Sequence, residues 1–139
     1  MALSADKFRS TKGDGITFAA PVEGSATLYV GSLVTNSASG HAQAATDAAG
    51  AECIGVACVN VANTGADGAE DVTVQKGHAE WFPQTGLTQA QVGSNVVLVD
   101  DETVTDAAGA TNDVKVGALL ALDGTNALVH VGIFAVTDA

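Results

Sequence analysis

The chain has 139 residues and a net charge of −11, and 47% of its residues are apolar. That apolar share argues against a disordered chain, and the absence of an 18-residue apolar run argues against a membrane-spanning segment. Residues 13–139 carry fifteen carboxylates against Lys76 and Lys115, so this acidic body should repel nucleic-acid phosphates.

The first predicted element is a basic N-terminal arm, residues 1–12. Lys7, Arg9 and Lys12 are three of the five basic residues of the chain, and Leu3 and Phe8 are the bulky apolar residues of the segment. We expect this arm to be flexible in the free protein and to order against an acidic protein surface. The alternative is a solvated terminus without a partner. Residues 13–139 are expected to form a single β domain.

Alternating apolar and polar residues dominate the rest of the chain and predict an all-β fold with little helix. Asp-Gly and other turn signals divide seven or eight short strands, which is typical of a small β-barrel or β-sandwich. Val114 to Leu122 could be helical from its Ala and Leu content, but Gly117 favours a strand. The predicted strands are 15–19, 27–30, 53–61, 71–75, 95–99, 114–122 and 127–133, with the last placing Ala127, Val129, Val131 and Ile133 on one face.

Two further segments are described by their composition. Residues 36–52 lack bulky side chains and predict a long loop with a weak edge strand, and long loops in compact domains often carry function. Residues 87–92 can form a single helical turn that ends at Gly93.

Three short sequence matches raise the hypothesis of a degenerate internal duplication around residues 30–61 and 92–122. Val30-Gly31-Ser32 recurs at 92–94 with an offset of 62, and Gly55-Val56-Ala57 resembles residues 117–119 with the same offset. A third match, Thr46 to Ala51 with Thr105 to Ala110, has an offset of 59 and requires a three-residue gap. A structural duplication and a coincidence of Ala- and Gly-rich composition are both open.

The residues that could carry chemistry are dispersed. His41, His78 and His130 show no metal-binding or catalytic spacing, and Cys53 and Cys58 would point to opposite faces of a strand. The acidic segment 67–71 could hold calcium weakly but is better explained as a hairpin turn. We therefore expect no enzyme activity, no metal and no cofactor.

The segment Trp81-Phe82-Pro83 contains the only Trp, one of four Phe and one of two Pro residues. Because large aromatic side chains bury the most area, we expect this segment to lie at a subunit contact, either between copies of the chain or against another protein. The alternative is that both aromatic side chains lie in one core. Adjacent residues of a strand face opposite sides, so one aromatic should enter the core and the other should meet a partner. Since Glu80 would share a face with Phe82, Trp81 is expected inside and Phe82 at the rim.

The order of the Gly/Val motifs resembles the tailed-phage capsid decoration, or cement, proteins. The motifs span roughly residues 22–136 and are Gly31-Ser32-Leu33-Val34, Ile54-Gly55-Val56-Ala57, Gly68 to Val74, Trp81-Phe82-Pro83, Val92 to Val97, Val116-Gly117 and Leu128 to Val131. Two features depart from the family pattern: the long 36–52 loop and the spacing of Trp81-Phe82-Pro83.

This resemblance implies a homotrimer on the outer surface of a phage head, made in the host cytoplasm. It would bind the major capsid protein at three-fold or quasi-three-fold points and stabilise the shell. Two other hypotheses are another virion or surface-fibre component with glycan-binding loops, and a small enzyme or ligand-binding barrel. The candidate contact residues are Lys7, Phe8, Arg9, Lys12, Trp81, Phe82 and Pro83.

Overall fold

The structure, a computed structural model, describes residues 2–6, 11–12 and 15–135. It is all-β, with helix limited in these residues to two short 3-10 turns, Gln89–Gln91 and Ala107–Gly109. The strands are β1 Thr11–Lys12, β2 Ile16–Pro21, β3 Thr27–Leu28, β4 Leu33–Asn36, β5 Ala42–Ala44, β6 Cys53–Ala57, β7 Val61–Ala62, β8 Asp71–Lys76, β9 Ala79–Pro83, β10 Asn95–Leu98, β11 Val104–Thr105, β12 Lys115–Asp123 and β13 Asn126–Val131.

The strands form two main sheets and one small pair. The first sheet has the order β2-β8-β6-β4-β5, the second has the order β1-β9-β13-β12-β10-β11, and β3 pairs with β7. Every pairing between these strands is antiparallel. The prediction of an all-β fold with little helix is confirmed, and eight of the strands are at least four residues long.

The alternation of side chains explains why most predicted strands form. In β8 the buried positions are Val72 and Val74, and in β13 they are Ala127, Val129 and Val131. The segment 114–122 is a strand, as Gly117 indicated, and β5 is the edge strand expected within 36–52.

Three predicted boundaries are wrong. The segment 53–61 is interrupted after Ala57 and continues as the separate short strand β7. The segment 27–30 keeps only Thr27 and Leu28 as strand β3. Ile133 lies beyond the end of β13 and is exposed, because Gly132 turns the chain with a φ of 77°.

The arm predicted over residues 1–12 contains a strand at its end. In β1, Thr11 pairs with Glu80 and Lys12 pairs with Ala79 of β9. The backbone N–H of Leu3 donates to Asp101 Oδ1 at 2.7 Å, and Asn60 Nδ2 donates to Asp6 Oδ2 at 2.9 Å. The boundary at residue 12 is therefore corrected: Thr11 and Lys12 belong to the second sheet.

The two sheets repeat one pairing pattern. We call residues 15–77 the first repeat and residues 78–132 the second repeat. An offset of 62 carries β4, β5 and β6 onto β10, β11 and β12. Every residue pair between β4 and β6 recurs between β10 and β12, including the register shift after Val34 and Val96, and two of the three pairs between β4 and β5 recur between β10 and β11.

The outer strands of each sheet follow the same pattern. An offset of 62 carries β2 onto β9 and aligns Pro21 with Pro83, while an offset of 55 carries β8 onto β13. The isolated bridge between Val22 and Ala42 recurs between Gln84 and Val104. The β1 strand has no counterpart among the described residues, so it is an addition to the second repeat.

The repeated Thr-Asp-Ala-Ala-Gly-Ala segments are not structurally equivalent. The offset of 62 holds both before them, in β5 and β11, and after them, in β6 and β12. Thr46 therefore corresponds to Ala108, not to Thr105, and the three-residue gap that the sequence match required is wrong. The match is a coincidence of Ala- and Gly-rich composition.

Each repeat has its own core. The smaller core contains Ala20, Val22, Leu28, Val34, Ala42, Ala57, Val72 and Val74 of the first repeat. The larger core contains eleven residues of the second repeat and also Leu33, Ala45 and Val56 of the first repeat. The outer face of β4 and β6 therefore attaches the first repeat to the second.

Candidate functional site

The segment Trp81-Phe82-Pro83 forms most of β9, between β1 and β13. Phe82 is fully buried in the larger core, whereas Trp81 is half-buried and pairs with Leu128 of β13. The predicted orientation is therefore wrong: Phe82 faces inward and Trp81 faces outward. Trp81 is the aromatic residue of this segment that remains available to a partner.

The reason for this reversal is a buried polar pair. His78 Nε2 and Glu80 Oε1 are 2.8 Å apart, and both side chains are almost completely buried. Glu80 therefore lies on the inner face of β9 together with Phe82, and its charge does not mark the solvent side. His78 Nδ1 has no hydrogen-bond partner among the described residues.

The candidate residues of the arm are only partly described. Lys7, Phe8 and Arg9 lie outside the described residues. Lys12 pairs with Ala79, so the structure places it on the strand next to the Trp81-Phe82-Pro83 segment. One end of the arm and the aromatic segment are thus brought together on the same sheet.

Asp101 connects the arm to the body. Its Oδ1 atom accepts from the Leu3 N–H, and its Oδ2 atom accepts from Ser32 Oγ at 3.3 Å. Burial raises the pKa of the Asp101 carboxyl, and the neighbouring Asp100 charge raises it further, although the hydrogen bonds to Leu3 and Ser32 lower it.

The two cysteines are free thiols in different surroundings. Cys53 packs against the larger core, and burial raises the pKa of its thiol to about 11. Burial raises the pKa of Cys58 as well, and the Glu80 carboxylate adds to that increase. Neither thiol is activated as a nucleophile, because activation requires a lowered pKa.

The acidic segment 67–71 belongs to the connection between β7 and β8 and ends on the first residue of β8. It is not the hairpin turn that the sequence predicted, because β7 pairs with β3 whereas β8 pairs with β2 and β6. Asp67 Oδ1 accepts from the Gly24 N–H at 2.8 Å, and Asp67 Oδ2 lies 3.9 Å from His41 Nδ1. Among residues 2–6, 11–12 and 15–135, no group of three His, Cys, Asp or Glu side chains is arranged to hold a metal ion. In the same residues, no helix has the length and apolar character needed to cross a membrane.

The second repeat carries a cleft of about 490 Å³ that the sequence analysis did not identify. Gln91 Nε2 donates to Asp106 Oδ2 at 2.9 Å across one side of the cleft. The lining residues include Leu87, Gln91, Asn95, Asp106, Asp113 and Lys115. The feature of the sequence that could have indicated this cleft is the second Val-Gly-Ser motif at 92–94, because it leads into β10, and Asn95 and Val97 of β10 line the cleft.

Exposed apolar side chains occur at several positions near the strand ends. Ile133 and Phe134, which follow β13, are 46% and 47% exposed. The Ala118 N–H donates to Ile133 O at 2.8 Å, and the Ala135 N–H donates to Asn95 Oδ1 at 2.7 Å. These bonds hold the two apolar residues beside the cleft. The other large apolar residues that are exposed in the described part of the chain are Ile16, Val59 and Leu120.

No protein-family model matches the chain, and no curated protein matches it.

Proposed function

We propose that this protein is a capsid decoration protein that binds the outer surface of a phage head and reinforces the shell. It acts by bridging neighbouring copies of the major capsid protein at three-fold or quasi-three-fold points. It works as a homotrimer, carries out no reaction and requires no cofactor.

The observation that carries the proposal is where the family-like motifs lie in the fold. The Leu33-Val34 motif begins β4, Ile54 to Ala57 lies in β6, and Val72 to Val74 lies in β8. The motif at 92–97 enters β10, Val116-Gly117 lies in β12, and Leu128 to Val131 closes β13. Motifs that were recognised only by their order thus form the main strands of both sheets.

The character of the two cores supports a structural role. The smaller core is built from Ala, Val and one Leu, and the larger core contains a single aromatic residue, Phe82. Small side chains bury little area each, so a protein of this kind gains stability when it assembles with further copies or with a shell. Closed cyclic symmetry is the usual form of such an assembly.

Binding to heads tests the proposal. Phage heads that lack this protein are mixed with the purified chain and separated on a density gradient, and the heads are then heated until DNA is released. We expect the chain to co-sediment with the heads and to raise the temperature of DNA release. A chain that stays at the top of the gradient at every ratio of protein to head would exclude the proposed function.

A further inference from the structure

The same face is buried in one repeat and open in the other. In the first repeat, Leu33, Ala45 and Val56 point away from the smaller core and pack into the larger core, which belongs mainly to the second repeat. The offset of 62 assigns Asn95, Ala107 and Ala118 to the equivalent positions of the second repeat. Asn95 and Ala107 line the cleft.

The second repeat contacts the buried face with two chain segments. The Leu33 N–H donates to Asp101 O at 2.8 Å, which fixes the turn at 99–103 against β4. Asp47 Oδ2 accepts from the Thr111 N–H at 2.8 Å, and Asp47 Oδ1 accepts from the Asn112 N–H at 2.9 Å. The turn and the 111–112 loop are thus the parts of the second repeat that dock on this face through backbone groups.

The first repeat has the same two docking segments, and they are exposed. The turn at 37–41 is closed by a hydrogen bond from the Ser37 N–H to His41 O, which matches the bond from Val99 to Thr103 in the second repeat. Residues 38–40 at its tip and residues 48–50, which include the counterparts of 111–112, are largely exposed. Both segments belong to the small-residue loop 36–52.

The contact between the repeats is therefore head-to-tail. It uses the outer face of one repeat and the turn segments of the other, and the two repeats do not exchange these roles. Each chain consequently retains one unused face, on the second repeat, and one unused pair of turns, on the first repeat. A contact of this type propagates to further copies and closes into a ring when the rotation permits.

We propose that the cleft of the second repeat binds the first repeat of another copy of this chain, through the turn at 37–41 and the loop at 48–50. The occupant is a second copy because the chain already forms the equivalent contact within itself. There, the outer face of the first repeat binds the turn at 99–103 and the loop at 111–112 of the second repeat. The inference rests on the proposed function only for the number of copies: three chains would form a ring of six repeats.

The chemistry of the cleft suits a contact that forms after folding. The buried face has Leu33, Cys53 and Val56, whereas the cleft face has Asn95, Lys115 and Ala118 at the equivalent positions. Polar side chains keep this face soluble in the free chain. Ile133 and Phe134 lie beside it and are about half exposed, so they supply the apolar area that docking would bury.

Paired substitutions with a matched control test the proposal. Ala108→Arg adds a long charged side chain in the cleft, and Ala38→Arg adds one at the tip of the turn. Thr64→Arg is the control, because Thr64 is an exposed loop residue outside both surfaces. In light scattering we expect the parent and Thr64→Arg to form the same oligomer, and the other two variants to associate at least tenfold more weakly.

A cross-link tests the geometry directly. Within the chain, Leu33 of the first repeat bonds Asp101 of the second repeat. The offset of 62 aligns Leu33 with Asn95 and Asp101 with Ser39, so the proposed contact places Asn95 of one copy next to Ser39 of another. A mixture of the Asn95→Cys and Ser39→Cys variants should therefore form disulfide-linked dimers under mild oxidation, while either variant alone should not. The native thiols are a small background because their raised pKa values slow oxidation.

Three outcomes would overturn the inference: a parent chain that stays monomeric at millimolar concentration, an unchanged mass for both arginine variants, or a mixture that does not cross-link. If Ala108→Arg keeps the parental mass but fails to bind heads, the cleft belongs to coat protein instead. Self-association without head binding would overturn the proposed function and leave this inference intact.

Discussion

Phe82 has the largest side chain among the described residues that are completely buried, and it is the single aromatic residue of the larger core. Replacing it with Ala should lower the free energy of unfolding by about 3–5 kcal/mol, because the small neighbouring side chains cannot fill the resulting cavity. Trp81→Ala is the matched control on the outer face of the same strand and should cost less than half as much. Urea denaturation measures both values.

An equal loss for the two variants, or a larger loss for Trp81→Ala, would contradict this orientation of β9. The sequence alone predicted the opposite orientation because a carboxylate usually marks the solvent side of a strand. Glu80 is buried here because His78, two residues earlier on the same face, lies within hydrogen-bonding distance. A single-sequence pattern carries no information on such a pairing.

Asp101 makes stability depend on pH. Because its carboxyl pKa is raised in the folded protein, the folded state favours the protonated form, and this group's contribution to stability falls as pH rises from the ordinary carboxyl pKa through the raised value. Asp101→Asn removes the buried charge but keeps an oxygen that can accept from the Leu3 N–H. The variant should melt at a higher temperature than the parent at neutral pH.

That difference in melting temperature should shrink as the pH is lowered from neutral through the raised pKa of the parent carboxyl, because Asp101 then becomes protonated and the buried charge is lost. Thermal unfolding of both proteins across this pH range measures the effect. A difference that is the same at both ends of the range would show that the charge of Asp101 is not the cause.

At the scale of the strands, Gly55 and Gly117 occupy equivalent positions where two strands approach closely. A Cβ atom at Gly117 would overlap the carbonyl oxygen of His130, and one at Gly55 would overlap that of Gln75. Gly117→Ala should therefore destabilise the protein by about 3 kcal/mol or more, since backbone atoms must move. Gly124→Ala, which has open space around it, should cost only about 1 kcal/mol.

Chemical denaturation compares these two variants. A Gly117→Ala variant as stable as Gly124→Ala would mean that β12 and β13 do not approach as the structure describes. The equivalent position in the first repeat provides a second test, because Gly55→Ala should also destabilise the protein strongly.

The N-terminal strand β1 covers the edge of β9. Deleting residues 2–12 removes this pairing and the hydrogen bond from Leu3 to Asp101, and each lost hydrogen bond costs about 0.5–1.5 kcal/mol. We expect the truncated chain to fold, with a free energy of unfolding lower by about 1–3 kcal/mol, and to bind heads more weakly. Unchanged stability together with unchanged head binding would leave the segment without a role.

The strands were predictable where one face is apolar and the other polar, as in β8 and β13, because a strand with one buried face requires that alternation. β1 was not predictable, since its partner β9 lies far along the chain and a two-residue strand has no pattern of its own. The repeat was visible at two motifs. The Ala- and Gly-rich segment at 46–51 gave a wrong alignment of the two repeats, because the strands on either side of it align with an offset of 62 and not 59.

The two repeats explain both the fold and the position of the cleft. The sequence contained the duplication, but the cleft depends on an asymmetry between two equivalent faces, one buried and one open. That asymmetry arises only when the repeats are packed together, so it could not be inferred from periodicity. The length of the loop 36–52 indicated a functional role. The proposed contact gives it one, because its turn at 37–41 and its residues 48–50 would bind the cleft of another copy.

Electron microscopy of phage heads with and without this protein tests the proposed decoration of the capsid. Reconstructions of heads that lack the protein and of the same heads after addition of the purified chain are compared. We expect added density on the outer surface at three-fold and quasi-three-fold points, with room for three chains at each. Identical reconstructions at saturating protein, or density at other positions, would contradict the proposal.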